Sequence, residues 1–412
     1  MQKKEPIARY IHSFIKELAL GRGKMAFISG PRQVGKTTEA LRIGKSFHEH
    51  HYYNWDQTHF KKQWTKNPDS IIEDFITNNP HDTKLAILDE IHKSRSWKQK
   101  LKGLYDVNHD ILCFLVTGSA RLSIYRKGSD SLMGRYYHFR LHPFSLRELL
   151  AKGPLPSNET FRNLFQLRDK KMSGDNARIL ARLLEFSGFP EPYLANDHKV
   201  LNLWREGRKD KIIKEDIRDL SNVRDISQIE VLLELLIDRV GSPLSVQSLR
   251  EDLSCSHDSV TRWLGHLQEL YYYYPVTPYS TSIARSLKKE AKIYLYDWSE
   301  VVNEGARFEN MVAGHLLKAC HFWQDTGEGK CSLHYLRNKD KKEVDFLIVK
   351  NKKPFFTIEC KLNQIQLDTE YQHFQKVLKC PHIQLVQDSG HYRKINGNTF
   401  IMSAEYFLEW FV

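Results

Sequence analysis

At 412 residues the chain is two to three times a typical domain of ~150 residues, so a single small module is excluded and several cores can form without disulfides. Hydrophobic residues make up 41%, aromatics 12% and charged residues 27%, which excludes wholesale disorder and collagen-like or coiled-coil architectures. Lys plus Arg number 62 against 50 Asp plus Glu; the resulting net charge of +12 favours an anionic partner, nucleic acid first, over the alternative of a merely basic enzyme.

The six cysteines, Cys113, Cys255, Cys320, Cys331, Cys360 and Cys380, show no CxxC spacing, so neither a zinc ribbon nor a disulfide framework is expected and reduced thiols in a cytosol fit. No stretch approaches the roughly 18 uninterrupted apolar residues of a membrane span, and MQKKEPIARYIHSF holds no apolar run of the signal-peptide type. A cytoplasmic protein with no membrane contact is the expectation.

From about Met25 to Ser145, the short apolar runs KMAFISG, HHYYNWD, KLAILDE and ILCFLVTGS alternate with helical segments. Strands apolar on both faces predict a parallel sheet covered on both sides, hence an α/β domain over residues 1–150. Residues 151–223 read as a charged helical lid or connector, broken by GPLPSNET and FSGFPEPYL. Residues 224–300 carry three helical segments and then two strands, YYYYPVTPY and KIYLYDW, with a turn at Cys255 to Asp258. That is the order of a winged helix-turn-helix with a two-stranded wing. Residues 301–412 alternate the strands VDFLIV, FFTIECK and HIQLVQD with helices, and no internal repeat or low-complexity tract occurs.

The segment GPRQVGKTT spans Gly30, Pro31, Arg32, Gln33, Val34, Gly35, Lys36, Thr37 and Thr38, fits GxxxxGK[ST], follows the strand MAFIS and precedes a helix. Gly30 and Gly35 let backbone amides turn toward phosphate, Lys36 reaches the β and γ phosphates, and Thr37 offers a hydroxyl to Mg²⁺. ATP and Mg²⁺ are thus the expected ligands. In KLAILDEIHK the strand ends on Asp89 and Glu90, at the sheet edge where ligands bind. Asp89 is expected to hold the Mg²⁺, directly or through water, and Glu90 to polarise the attacking water. The strand ILCFLVTGS closes on Thr117, Gly118 and Ser119, which can sense the γ phosphate or orient the water. Arg135, in LMGRYYHFRL, is either an arginine finger for a neighbouring subunit, implying a homo-oligomer, or one half of a lid salt bridge.

GPRQVGKTT, LAILDEIHK, VTGSARL and MGRYYHFRLHPFSLREL together resemble the bacterial and archaeal AAA-type ATPases that carry an AAA_14 domain followed by a domain of unknown function, DUF4143. The resemblance covers nearly the whole chain. It implies an AAA-superfamily ATPase core, a helical connector with GGFP-like residues (here Ser187, Gly188, Phe189 and Pro190, with Ser where the family often has Gly), a winged helix and a C-terminal nuclease-like domain.

In KKEVDFLIVKNKKPFFTIECK, a hairpin centred near Lys352 sets Asp345 opposite Glu359, with Lys361 on the same strand face as Glu359. Two carboxylates beside a lysine make a Mg²⁺ or Mn²⁺ site, and EVD with IECK resembles the PD-(D/E)xK nuclease pattern, restriction-endonuclease-like in fold. Glu309, on the preceding helix, matches the acid such nucleases often carry there. Such a domain either cuts DNA or binds it without cutting; a solvated ladder of salt bridges including Glu343 is the plain alternative. Arg285, Lys288, Lys289 and Lys292 make a basic wing, and the helix HDSVTRWLGHLQEL offers Arg262 near its start, an arrangement for duplex DNA or for a protein contact. The leading expectation is an ATP-hydrolysing machine on single-stranded, duplex or branched DNA. The competing one is a nucleotide-dependent switch that binds a protein or DNA partner and turns over rarely.

Overall fold

The computed structural model describes residues 7–75, 82–118, 132–166, 174–217, 226–280 and 290–412, and its chain divides into two compact units, Met1–His142 and Pro143–Val412. Residues 143–150 thus go with the second unit, and the further boundaries expected at 223 and 300 fall inside it.

In the first unit, β1 (Met25–Ser29), β2 (Glu49–Asn54), β3 (Lys84–Asp89), β4 (Cys113–Gly118) and β5 (Tyr136–Arg140) form a parallel sheet in the order β2-β3-β4-β1-β5. β1 is buried at every residue and β3 and β4 at all but their first, because helices cover both faces; Phe27, Trp64, Trp97, Leu101 and Phe114 fill one of these layers. β4 lies between the strand that leads into GPRQVGKTT and the strand that ends on Asp89. The carboxyl ends of β1, β3 and β4 therefore share one edge.

The second unit carries helices at Ser157–Gln166, Gly174–Phe186, Pro190–Ala195 and His198–Asp210, then three more at Ile226–Asp238, Val246–Leu253 and His257–Glu269. The last two start on serine caps, Ser245 and Ser256, and the turn between them passes through Ser254 at φ 50°. β6 (Tyr273–Pro278) and β7 (Lys292–Leu295) pair antiparallel, but β6 also pairs parallel with β8 (Cys331–Arg337). The expected two-stranded wing is therefore no separate ribbon. It forms one end of an eight-stranded sheet ordered β12-β13-β11-β10-β9-β8-β6-β7, with β9 Glu343–Lys350, β10 Lys353–Lys361, β11 His382–Val386, β12 Tyr392–Asn396 and β13 Thr399–Ser403. The 22-residue helix Glu304–Asp325 packs on this sheet and buries Phe308, Met311, Leu316 and Phe322.

The β9–β10 turn is made by Asn351 and Lys352, both left-handed (φ 49° and 66°), as a two-residue hairpin requires. Lys353 pairs with Lys350, yet beyond an irregularity between Pro354 and Phe356 the pairing becomes Ile358 with Phe346. That one-residue bulge carries Glu359 to the position across from Asp345. Without it Ile358 would face Asp345 and Glu359 would turn to the other face of the sheet.

Candidate active site and a second acid cluster

The phosphate-type loop begins where β1 ends. The Leu141 amide donates to Ser29 O at 2.8 Å, and Gly30 stands at φ 154° with Leu141 O only 2.1 Å from where a Cβ would be, so the position admits glycine alone. Gln33 (φ 62°) and Gly35 (φ 97°) are left-handed, which curls the loop into the helix Lys36–Gly44 in the manner of an anion-binding nest. Lys36 Nζ donates to Gly30 O (3.0 Å) and Pro31 O (2.7 Å). From beneath, the buried Arg9 donates to Val34 O at 2.7 Å and to His142 O. Thr38 is exposed.

Asp89, buried at the end of β3, gathers three hydroxyls. Its Oδ2 accepts from Thr37 Oγ1 (2.8 Å) and from Tyr52 OH (2.7 Å), and its Oδ1 accepts from Thr117 Oγ1. Asn54 Nδ2 donates to the Tyr52 oxygen at 3.1 Å. Glu90 leaves the strand in a left-handed conformation (φ 57°), tied down by its amide to Thr117 O at 3.0 Å. Its carboxylate lies 3.5 Å from His92 Nε2 and 3.8 Å from Lys93 Nζ. Burial raises the Glu90 pKa above the ordinary glutamate value, against the downward pull of Lys36 and Lys93, and so makes it a better proton acceptor near neutrality. Burial and the bond to Asp89 push the Tyr52 phenol well up, so it stays a donor.

Thr37 and Asp89 suit Mg²⁺, which keeps several waters and takes one carboxylate plus substrate phosphates. Among the described residues no group of three or more His, Cys, Asp or Glu is arranged to hold a metal by itself, so this pair needs the nucleotide to complete a shell. Ser119 lies outside the described residues. Arg135 is at the other edge of the sheet: its carbonyl accepts from the Met25 amide, at the amino end of β1, and its guanidinium pairs with Asp106 (Nε–Oδ1 2.5 Å, NH2–Oδ2 2.9 Å). Five strand residues, about 17 Å, separate it from the loop after β1, so Arg135 does not serve the site of its own chain.

Sequence reasoning missed Tyr52 and Arg9. Alternation along HHYYNWD puts Tyr52 and Asn54 on one face at the strand end nearest Asp89, a signal that was readable; nothing local marks Arg9.

The C-terminal acids lie close together. The Asp345 amide donates to Glu359 Oε2 (3.3 Å), the Cys360 amide donates to Asp345 Oδ2 (2.9 Å), and Lys361 Nζ sits 3.0 Å from Glu359 Oε1 and 3.0 Å from Asp368 Oδ2. Glu309 joins them from the helix and accepts from Tyr294 OH at 2.5 Å. Burial raises the pKa of both Glu309 and Glu359.

Lys292 corrects the reading of the wing. It is 2% exposed, with Nζ 2.6 Å from Glu343 Oε1, 3.4 Å from Glu309 Oε1 and 3.5 Å from Asp345 Oδ1. A strand position whose side chain points inward cannot meet a DNA phosphate. Burial works to lower its pKa, but Glu309, Asp345 and Glu343 outweigh burial and hold the amine charged. With an ammonium among these oxygens the cluster does not fit a divalent metal. Arg285, Lys288 and Lys289 lie outside the described residues; Arg262 is exposed on the helix His257–Glu269.

Residues 22–150 match a family model described as an AAA domain (AAA_14), 177–302 match a domain of unknown function, DUF8612, and 304–406 match a domain of unknown function, DUF4143. These matches support an AAA-type P-loop ATPase. An uncharacterized protein of Methanocaldococcus jannaschii, MJ1544, is 23% identical over 379 residues, covering 88% of this chain and 80% of the relative. The uncharacterized protein Rv2008c of Mycobacterium tuberculosis is 22% identical over 279 residues, covering 68% of this chain and 55% of its own. Among solved structures, the Aeropyrum pernix ORC1 protein in complex with DNA aligns with TM-score 0.36 and 12% identity over 76% of this chain and 95% of that one. DnaA from Aquifex aeolicus, bound to AMPPCP, aligns with TM-score 0.30 and 15% identity over 62% and 86%. At such scores the likeness bears on neither function nor partner. No helix among the described residues is long and apolar enough to cross a membrane.

Proposed function

We propose that this AAA-type module hydrolyses ATP and that the second unit applies nucleotide turnover to DNA. The observation that carries the first half is the meeting of Thr37, Asp89 and Glu90 beside the Gly30–Thr38 loop. The loop amides and Lys36 bind the β and γ phosphates. Thr37 and Asp89 hold the Mg²⁺, whose charge neutralises the phosphates when it is bound. Glu90 orients the attacking water and accepts its proton, which its raised pKa favours. Thr117, hydrogen-bonded to Asp89, fixes the carboxylate's orientation, and Ser119, two residues on, is assigned to the γ phosphate. In this reading Arg135 serves the site of a second copy of the chain in a homo-oligomer.

The DNA half rests on the net charge of +12 and on the order helix, helix, helix, strand, strand over 226–295, which we read as a winged helix. Arg262 and the run Arg285, Lys288 and Lys289 are its phosphate contacts in this reading. The succession of helix Glu304–Asp325, β8, β9, β10, helix Gln372–Leu378 and β11, with acids on β9 and β10, is what a PD-(D/E)xK-type domain would have, and it supports a DNA-facing fold.

The test is ATP turnover by the full chain with no DNA and with single-stranded, duplex and branched DNA. Many-fold stimulation by one of them is the expected result. Slow turnover that no DNA changes would replace the machine with a nucleotide-dependent switch, and no hydrolysis at all would overturn the proposal.

A further inference from the structure

The second acid cluster carries its own cation. Lys292 lies on β7, where it pairs with Val276 of β6 and bridges to Pro243, so its backbone is held from two sides. Its side chain is 3% exposed and runs into the space bounded by Glu309 of the helix and by Glu343 and Asp345 of β9, with the Tyr335 ring centroid 5.6 Å from Nζ. Three carboxylates from two different elements thus share one ammonium, which has three protons to give. Lys361 takes the fourth acid, Glu359.

A bound Mg²⁺ needs carboxylate oxygens at about 2.1 Å and nearly octahedral space around it. Glu309 Oε1 and Asp345 Oδ1 already face Lys292 Nζ at 3.4 and 3.5 Å, so a metal taken by these oxygens would lie beside the ammonium. Two positive centres on one pair of oxygens, beside a lysine that is itself 3% exposed, repel each other. A lysine pinned at both its backbone and its head cannot swing aside as a surface lysine would.

We infer that Lys292 is the resident cation of the Glu309–Glu343–Asp345 cluster, occupying the place of a divalent metal, so that this site neither takes Mg²⁺ or Mn²⁺ nor cuts DNA. The inference rests on the nuclease-like reading of the second unit and is independent of ATP hydrolysis. The cluster then serves as an ionic clasp that joins β7 to the long helix and to β9.

The experiment is Mn²⁺ binding to the full chain without nucleotide, followed by calorimetry or electron paramagnetic resonance, on wild type, Asp345→Asn, Lys292→Ala and the double variant, with plasmid nicking in Mn²⁺ and ATP turnover measured alongside. Wild type and Asp345→Asn are expected to bind Mn²⁺ alike and to nick nothing. Lys292→Ala is expected to gain a saturable Mn²⁺ site that Asp345→Asn abolishes. Mn²⁺ binding or nicking by wild type that Asp345→Asn removes would overturn the inference. A folded Lys292→Ala protein that gains no Mn²⁺ would also overturn it, and with it the nuclease-like reading, while ATP turnover stays unchanged. Should Lys292→Ala fail to fold, the comparison of wild type with Asp345→Asn decides by itself.

Discussion

The Thr37 hydroxyl donates to Asp89 Oδ2 at 2.8 Å, joining the first turn after the glycine loop to the last residue of β3. Thr37→Ala deletes a hydrogen bond to a charged group, worth about 1.5–3 kcal/mol, and should raise the Mg²⁺ concentration at half-maximal ATP turnover about 10- to 100-fold. Asp89→Asn should do at least as much. A Mg²⁺ titration of turnover checks both; an unchanged midpoint in either variant would take that residue out of the metal site.

Glu90→Gln and Lys36→Ala should separate binding from hydrolysis. Glu90→Gln keeps the loop and its lysine, so fluorescent ATP should bind as in wild type while turnover falls roughly 10²–10⁴-fold. Lys36→Ala removes the cation that faces the phosphates and should weaken binding itself. Wild-type turnover in Glu90→Gln would assign the water to another residue.

The pH profile carries a sign. Because burial raises the Glu90 pKa, the folded protein keeps this carboxyl protonated at pH values where an ordinary glutamate, near 4.5, is ionised. Turnover should therefore climb with pH through a midpoint above 4.5 and level off on the alkaline side. Glu90→Gln, with nothing to titrate there, should lack that acid limb.

Gly30→Ala should damage the loop at its root. The added Cβ would stand 2.1 Å from the Leu141 carbonyl oxygen, which is backbone and cannot rotate away. Overpacking of this kind costs about 1–3 kcal/mol, measurable as a lower denaturation midpoint together with lost nucleotide binding. Unaltered stability and ATP affinity would contradict the placement of this loop.

Arg285, Lys288 and Lys289 changed together to Ala should weaken duplex DNA binding and flatten its salt dependence, since about 0.9 counterions are released for each phosphate neutralised. Arg262→Ala should add to the loss. Lys292 is left out because it is buried in the acid cluster, where its loss would report on that cluster and not on DNA. Unchanged affinity and slope would turn the 226–295 segment into a protein-contact module.

Much of the first site was legible because its chemistry is local. GPRQVGKTT is a contiguous loop, and LAILDE delivers Asp89 and Glu90 at the end of an apolar strand, so residue type and spacing were enough to name Lys36, Thr37, Asp89 and Glu90. The pairing of Asp345 with Glu359 was read from a hairpin centred at Lys352. That centre holds only because one bulge residue offsets a turn made by Asn351 and Lys352.

Other features were decided by residues distant in sequence. Tyr52 reaches Asp89 because β2 pairs with β3, Thr117 reaches it because β4 is inserted between β1 and β3, and Arg9 reaches Val34 across the unit. Lys292 is the sharpest case. In the sequence it stands close to Arg285, Lys288 and Lys289 and shares their charge, so composition places it on a basic surface. Strand direction turns it inward to Glu309, Glu343 and Asp345, three acids 17 to 53 positions further along the chain. A run of like residues specifies charge and local periodicity. Which face a strand presents, and what another part of the chain brings to that face, depends on pairing and burial across long sequence separations, and those are fixed only when the sheet assembles.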